Sequence, residues 1–137
     1  MTTGMRTFRF LAVAAVGTCD AAELTATARR AEAMGYSALV LPDHLMDQHA
    51  PVPVLATVAA VTERLRIGTF VLNAGLRHPA VLAQDLASLD VLSGGRLEIG
   101  IGAGWNRPEH DAIGLPFGSF PARVGRLTEA IAVLKGY

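Results

Sequence analysis

The pair Asp43-His44 is the part of the sequence best suited to acid–base chemistry, because it directly follows a short apolar run at residues 37–41. A histidine changes charge near neutral pH, so His44 could donate a hydrogen bond or move a proton. A blander interpretation is equally open, in which Asp43 caps the loop and His44 is a surface residue. The pair therefore indicates a site only where other polar groups meet it.

Polar residues also follow two later apolar runs. Asn73, Arg77 and His78 come after residues 66–72, and residues 105–111 come after the run 96–104. If these runs are parallel strands, their carboxyl ends share one edge, which is where such folds bind ligands. The sequence thus predicts a site at one end of the strands. His78 itself, before Pro79, is predicted to cap a helix.

The glycines of Gly100-Ile101-Gly102-Ala103-Gly104 do not form a dinucleotide-binding loop, because their spacing is not GxGxxG at the start of a helix. Alternate glycines leave bare backbone on one face of a strand. Either a flat ligand lies against that face or neighbouring residues pack tightly there, and both interpretations stay open. Trp105 could stack on a ligand or cover the core.

The sequence predicts no metal site. Glu109, His110 and Asp111 form one short polar loop without the helical spacing of metal ligands. His49 lies in another loop and is expected to be exposed. Since nucleophile elbows and phosphate loops are also absent from the sequence, chemistry here is expected to depend on an organic cofactor.

These candidate residues depend on a repeated strand–helix unit. Apolar runs typical of buried parallel strands start near Phe8, Ser37, Arg66 and Arg96, at intervals of 29, 29 and 30 residues. Helical patterns follow each run. They are predicted from Asp20 to Gly35, over residues 53–63, from Pro79 to Ser93 and after Pro121.

A βαβαβαβα order requires a parallel sheet, in an open doubly wound fold or a (β/α)8 barrel. The length of 137 residues favours the open sheet. The gathering of polar residues at one end of the strands is what one face of a barrel would produce.

Composition excludes several classes of protein. Twelve basic residues balance twelve acidic ones, which argues against a nucleic-acid or membrane-surface protein, and the single cysteine cannot form an internal disulfide. The run 10–16 resembles a short signal peptide, but seven apolar residues fit a first strand better. We therefore expect a cytoplasmic protein.

Three long stretches, at residues 31–45, 64–105 and 109–117, resemble the luciferase-like superfamily of flavin-dependent monooxygenases and deazaflavin oxidoreductases. They include ALVLPDHL, GTFVLNAG and GIGAGW, and they are most similar to the branch that depends on the deazaflavin coenzyme F420. The resemblance implies an α/β fold of the (β/α)8 TIM-barrel type. It makes residues 1–137 the N-terminal half of that domain, with the first four βα units.

The resemblance also assigns roles. His44 would be the catalytic residue, a proton donor at the hydride site, and Trp105 would shape the substrate pocket where sugar-phosphate-oxidising relatives carry Glu. A non-proline cis peptide is expected around Phe70–Leu72, behind the cofactor ring. The residues expected to contact the cofactor are Asp43, Val71, Asn73, Ala103 and Gly104.

The activity implied is hydride transfer between F420 and an unidentified small organic substrate. An FMN-dependent monooxygenase is the alternative if the cofactor is FMN. The alternative without catalysis is a truncated half-barrel fragment or interaction subunit that needs a second half. Because half a barrel would expose unpaired strand edges and apolar surface, we expect a homo-oligomer, pairing with a complementary half-barrel chain, or an unstable product of a truncated gene.

Overall fold

A computed structural model describes residues 8–14, 17 and 19–137, so part of the signal-like run 10–16 lies outside the described residues. Parallel pairing defines the strands, in the sheet orders β1-β2-β3-β5 and β4-β6. The strands are β1 (Leu11–Val13), β2 (Ala38–Leu41), β3 (Arg66–Thr69), β4 (Leu72–Asn73), β5 (Leu97–Glu98) and β6 (Ile101–Gly102). The helices are α1 (Ala21–Ala33), α2 (Pro51–Val61), α3 (Pro79–Leu92), α4 (Arg107–Ala112) and α5 (Phe120–Gly136).

The third and fourth predicted strands are each interrupted once. Phe70 and Val71 separate β3 from β4, and the peptide bond between them is cis, as the resemblance implies. Opposite them, Gly100 donates its N–H to the Thr69 carbonyl and accepts a hydrogen bond from the Leu72 N–H. These bonds keep the two broken strands side by side through the interruption, so that β4 and β6 continue the sheet toward its carboxyl edge.

The helices α1 and α3 begin as the sequence predicts. Asp20 and Glu23 form a reciprocal capping box at the start of α1, and His78 accepts a hydrogen bond from the Ala80 N–H at the start of α3. The core lies between α1, α2 and the inner strands. Its fully buried large side chains include Leu39, Leu41, Leu55, Leu65 and Ile67.

Two expectations about helices are wrong in detail. The second helix spans Pro51–Val61 rather than 53–63, since Pro51 suits a first turn and the chain turns extended at Thr62. Residues 107–112 form the helix α4 instead of a polar loop. Pro108 lies in its first turn, where a proline loses no hydrogen bond, so that residue opens a helix here.

Arg96, which directly precedes β5, is bound to the segment that joins α2 to β3. Arg96 donates to the carbonyls of Ala59 and Leu65 and to the Thr62 hydroxyl, which joins the end of α2 to the start of β3.

Across the described ranges, no helix combines the length and the apolar character that crossing a membrane would take.

Candidate active site

A cleft of about 330 Å³ opens at the carboxyl ends of β2, β4 and β6. The three segments meet there because parallel strands end at one edge. All seven residues predicted for the site line this cleft: Asp43, His44, Val71, Asn73, Ala103, Gly104 and Trp105. Its remaining lining residues are Pro42, Phe70, Leu72, Gly102, Asn106 and Glu109. The structure thus brings together segments more than sixty residues apart in the sequence (44 to 105).

His44 is half-buried and has partners on two sides. Its Nδ1 lies 2.8 Å from Oε1 of Glu109. Its ring and the Trp105 indole pack in a T-shaped arrangement, with the ring centroids 5.7 Å apart and the planes at 76°. Trp105 is 75% exposed, so its indole forms an outer wall of the cleft instead of covering the core. The surface-residue interpretation of His44 is therefore wrong.

Glu109 is a residue that the sequence reasoning did not assign to the site. It lies on α4, is only 5% exposed, and its second oxygen, Oε2, has no hydrogen-bond partner among the described residues. The sequence signal that could have found it is helical. Asn106, Pro108 and Glu109 occupy N-cap and first-turn positions of α4, where these residue types are favoured.

Asp43 is held inside the protein by two groups. Arg77 approaches it in a bidentate pair, with N–O distances of 2.6 and 2.9 Å, and the Asn73 backbone N–H donates to Oδ2 at 3.0 Å. The Asp43 side chain is buried and the Arg77 side chain about three-quarters buried. The Asp43 charge is thus neutralised within the cleft wall, although Asp43 still lines the cleft.

Asn73 connects this wall to α4. Its side-chain oxygen accepts the Gly75 N–H at 2.9 Å, so its amide NH2 is the group that faces His110 Nε2 at 3.2 Å. His110 therefore accepts through Nε2, and its ring is fully buried. The contact fixes the position of α4 behind the cleft.

The glycine run packs tightly against Thr69, Val71 and Asn73, although Gly102 and Gly104 also line the cleft. A Cβ on Gly100 would overlap the Thr69 carbonyl oxygen and come within 2.9 Å of Val71, and a Cβ on Gly102 would lie 3.0 Å from Val71. Gly104 adopts a left-handed φ of +78°, with the Asn73 side chain directly against it. The space above these glycines is filled by Val71 and Asn73, whose other sides form the cleft wall.

Helix α5 secures the loop that carries Trp105. Arg123 Nε donates to the Gly104 carbonyl at 3.2 Å, and the guanidinium lies 4.1 Å from the Phe117 ring centroid. Sequence reasoning missed this arginine, because a basic residue on a helix ordinarily points to solvent.

The other histidines lie outside the cleft. His78 caps α3 as predicted, and His49 is exposed as predicted, with its Nε2 2.8 Å from the Cys19 carbonyl oxygen. In the part of the chain that the structure describes, no group of three or more His, Cys, Asp or Glu side chains could hold a metal ion. The absence of a metal site stays a prediction.

Two carboxyl groups with perturbed titration lie at the opposite, amino-terminal edge of the sheet. Hydrogen bonds from the Arg64 and Leu65 N–H groups hold the pKa of Glu32 below its usual range, with a further bond from the Glu63 N–H. Hydrogen bonds from Arg9 and then Arg66 lower the pKa of Glu98. Both carboxylates stabilise the fold at a distance from the cleft.

Sequence comparison agrees with this fold. The family model for luciferase-like monooxygenases matches residues 1–137. The chain belongs to the luciferase-like monooxygenase family. Among curated members, an F420-dependent glucose-6-phosphate dehydrogenase of Beutenbergia cavernae is 40% identical over 113 residues. That alignment covers 77% of this chain and 33% of the dehydrogenase, so the chain spans about a third of the length of the curated relatives it matches.

Two solved structures superpose well on this chain. The monooxygenase RslO1 from Streptomyces bottropensis shares 27% identity with a TM-score of 0.79, over 93% of this chain and 42% of that one. The coenzyme F420-dependent tetrahydromethanopterin reductase from Methanopyrus kandleri shares 28% identity with a TM-score of 0.71, over 82% and 31%. These matches confirm the predicted family and the TIM-barrel fold class, of which this chain forms a part.

Proposed function

We propose that this chain carries the cofactor-ring side of an F420-dependent oxidoreductase site, with His44 exchanging a proton with a small organic substrate. The observation that carries the proposal is that all seven residues assigned from the family resemblance line one cleft. The curated relative at 40% identity is an F420-dependent enzyme, which supports F420 over other cofactors.

The cleft residues fit a flat ring with a polar edge. Phe70 and Val71 expose apolar surface on one wall, and the Trp105 indole stands at the mouth. His44 supplies the polar group at the side. The volume of about 330 Å³ is near the lower limit for small-molecule pockets, enough for a ring but not for a complete coenzyme with its substrate.

A deazaflavin would supply hydride chemistry at this place. Val71, Ala103 and Gly104 would hold the ring, and Asn73 would line its polar side. His44 would hold or accept the proton that accompanies hydride transfer, because its imidazole lies in the cleft wall and an imidazole can both donate and accept a proton. Asp43, with its charge neutralised by Arg77, would contact the cofactor without opposing an anionic ligand.

Trp105 makes the proposal easy to test, because it is the only tryptophan of the chain and it stands in the cleft. Titration with F420 should quench Trp105 fluorescence saturably, and Val71→Asp should weaken binding about tenfold or more by placing a charge against the ring. Val91→Asp, on the exposed outer side of α3, is the matched control and should bind like the parent. Failure of the parent to bind either F420 or FMN would refute the proposal.

An FMN-dependent monooxygenase is the second candidate. The match to the monooxygenase RslO1, over 93% of this chain at 27% identity, supports monooxygenase chemistry. Titration with FMN in parallel distinguishes the two, since saturation by FMN alone would replace F420 in the proposal. A non-catalytic subunit predicts a third result: no binding until a protein that carries the C-terminal part of a relative is added.

A further inference from the structure

We infer that Glu109 is a positioning residue that fixes the proton of His44, an inference that rests on the function proposed above. Glu109 Oε1 lies 2.8 Å from His44 Nδ1. Since an ionised carboxylate only accepts hydrogen bonds, Nδ1 carries a proton. In the neutral imidazole the other nitrogen, Nε2, then keeps its lone pair and serves as the proton acceptor of the ring.

Burial argues that this contact does more than hold α4 in place. Glu109 is 5% exposed, and its Oε2 has no partner among the described residues. A buried carboxylate with one oxygen unpaired costs stability relative to an apolar side chain of similar size. Packing alone therefore does not account for a glutamate here, whereas fixing the histidine does.

Among the groups around His44, Glu109 is the one that binds Nδ1 of the imidazole. Asp43, the neighbouring carboxylate in the chain, is occupied by Arg77 and the Asn73 N–H. Trp105 packs against the imidazole in a T-shaped arrangement and limits rotation of the ring. With Nδ1 bound on one side, the ring of His44 is held in the cleft wall with Nε2 available to a ligand.

The test is the protonation pattern of the His44 ring, read by long-range ¹H–¹⁵N NMR on the whole chain in mildly alkaline buffer and assigned with His44→Gln. The parent should show a protonated Nδ1 and an unprotonated Nε2. Glu109→Met keeps the length of the side chain and removes the acceptor. It should lower the ratio of the Nδ1–H to the Nε2–H form about tenfold or more, the loss expected for one charge-assisted hydrogen bond.

Two further variants make the result specific. Glu109→Gln should keep the Nδ1–H form, because its amide oxygen still accepts, and Asp111→Asn, an exposed position on the same helix, should match the parent. An Nε2–H form in the parent, or an unchanged pattern in a folded Glu109→Met, would overturn the inference. Should Glu109→Met fail to fold, the parent and Glu109→Gln spectra still decide.

The NMR measurement needs no cofactor, so it is independent of the titration with F420. Loss of cofactor binding with the predicted His44 pattern would remove the proposed function and leave the contact intact. Cofactor binding with the opposite pattern would remove only the role of Glu109.

Discussion

Gly100 shows at the scale of single residues how the cleft wall is built. It lies between β5 and β6, and a Cβ there would overlap the Thr69 carbonyl oxygen and approach Val71. We expect Gly100→Ala to lower the free energy of unfolding by about 1–3 kcal/mol, since overpacking forces neighbours to shift. Urea denaturation measures the loss.

Gly125 provides the matched control for that substitution. It lies inside α5 with no atom within 4 Å of an added Cβ. Gly125→Ala should therefore raise the free energy of unfolding by about 0.5–1 kcal/mol, because alanine favours a helix over glycine. Equal stability of the two variants would contradict the tight packing described at Gly100.

Removal of the Arg77 side chain should cause a large loss of unfolding free energy. Arg77→Met would leave the buried Asp43 carboxylate without its cation, at a cost of about 3–5 kcal/mol in unfolding free energy. The double variant Asp43→Asn/Arg77→Met should recover a large part of that loss, because the uncompensated charge is gone. Additive losses in denaturant unfolding would show that the pair is not coupled.

Single residues also mark how far the sequence could predict the site. Asp43, His44 and Trp105 lie close together because each follows a strand and the ends of parallel strands meet at one edge, so the sequence could predict their proximity. The partners Glu109 and Arg77 were not assigned. Their contacts span 65 and 34 residues and depend on side-chain directions that no local pattern specifies.

At the scale of elements, Glu32 joins α1 to the turn that leads into β3. It accepts three backbone N–H groups, at 3.0, 2.7 and 2.8 Å, from residues 63–65. Its pKa is lowered in the folded state, first by the Arg64 N–H. A lowered carboxyl pKa contributes stability that is complete above the unfolded value, about 4.3, and is lost as the pH falls through the folded value.

Unfolding free energy measured from pH 7 down to pH 3 should therefore fall with pH in the parent. Glu32→Gln should be less stable at neutral pH and should show a shallower fall, because its amide does not titrate. Glu129→Gln, at an exposed position of α5, is the control and should follow the parent curve. Parallel curves for parent and Glu32→Gln would exclude this carboxylate as a source of the acid sensitivity.

Helix α5 acts on the cleft through Arg123, which reaches the Gly104 carbonyl. Arg123→Gln should free the loop at Gly104 and Trp105, so the fluorescence anisotropy of Trp105 should fall while the fold persists. Arg126→Gln is the control, since Arg126 donates to the Pro116 and Phe117 carbonyls and not to Gly104. An equal fall in both variants would indicate general loosening of α5.

The strands and long helices were more predictable from the sequence than the short segments that connect them. Buried parallel strands have an apolar signature, and the capping residues Asp20 and His78 mark helix starts, so these elements were expected. The sequence did not predict α4, because Pro108 in a polar stretch is typical of a loop as well as of a first helical turn. Its position depends on tertiary contacts such as Asn73 with His110.

At the scale of the whole molecule, the first strand leaves an apolar edge open. Among the described residues β1 pairs with β2 alone, and Phe8, Phe10 and Val13 are 91%, 70% and 59% exposed. Unpaired strand edges with apolar side chains favour association with a further strand. We therefore predict that the chain self-associates or binds a complementary half-barrel chain through this edge.

Sedimentation velocity over a range of concentrations tests that prediction. The parent should sediment faster as its concentration rises, and Phe10→Lys should reduce the effect, because a charged side chain at a strand edge opposes pairing. Val91→Lys is the matched control, since Val91 is 79% exposed on α3, away from the strand edge. A parent that stays monomeric throughout would contradict self-association, and sensitivity to Val91→Lys alone would move the contact to the outer face of α3.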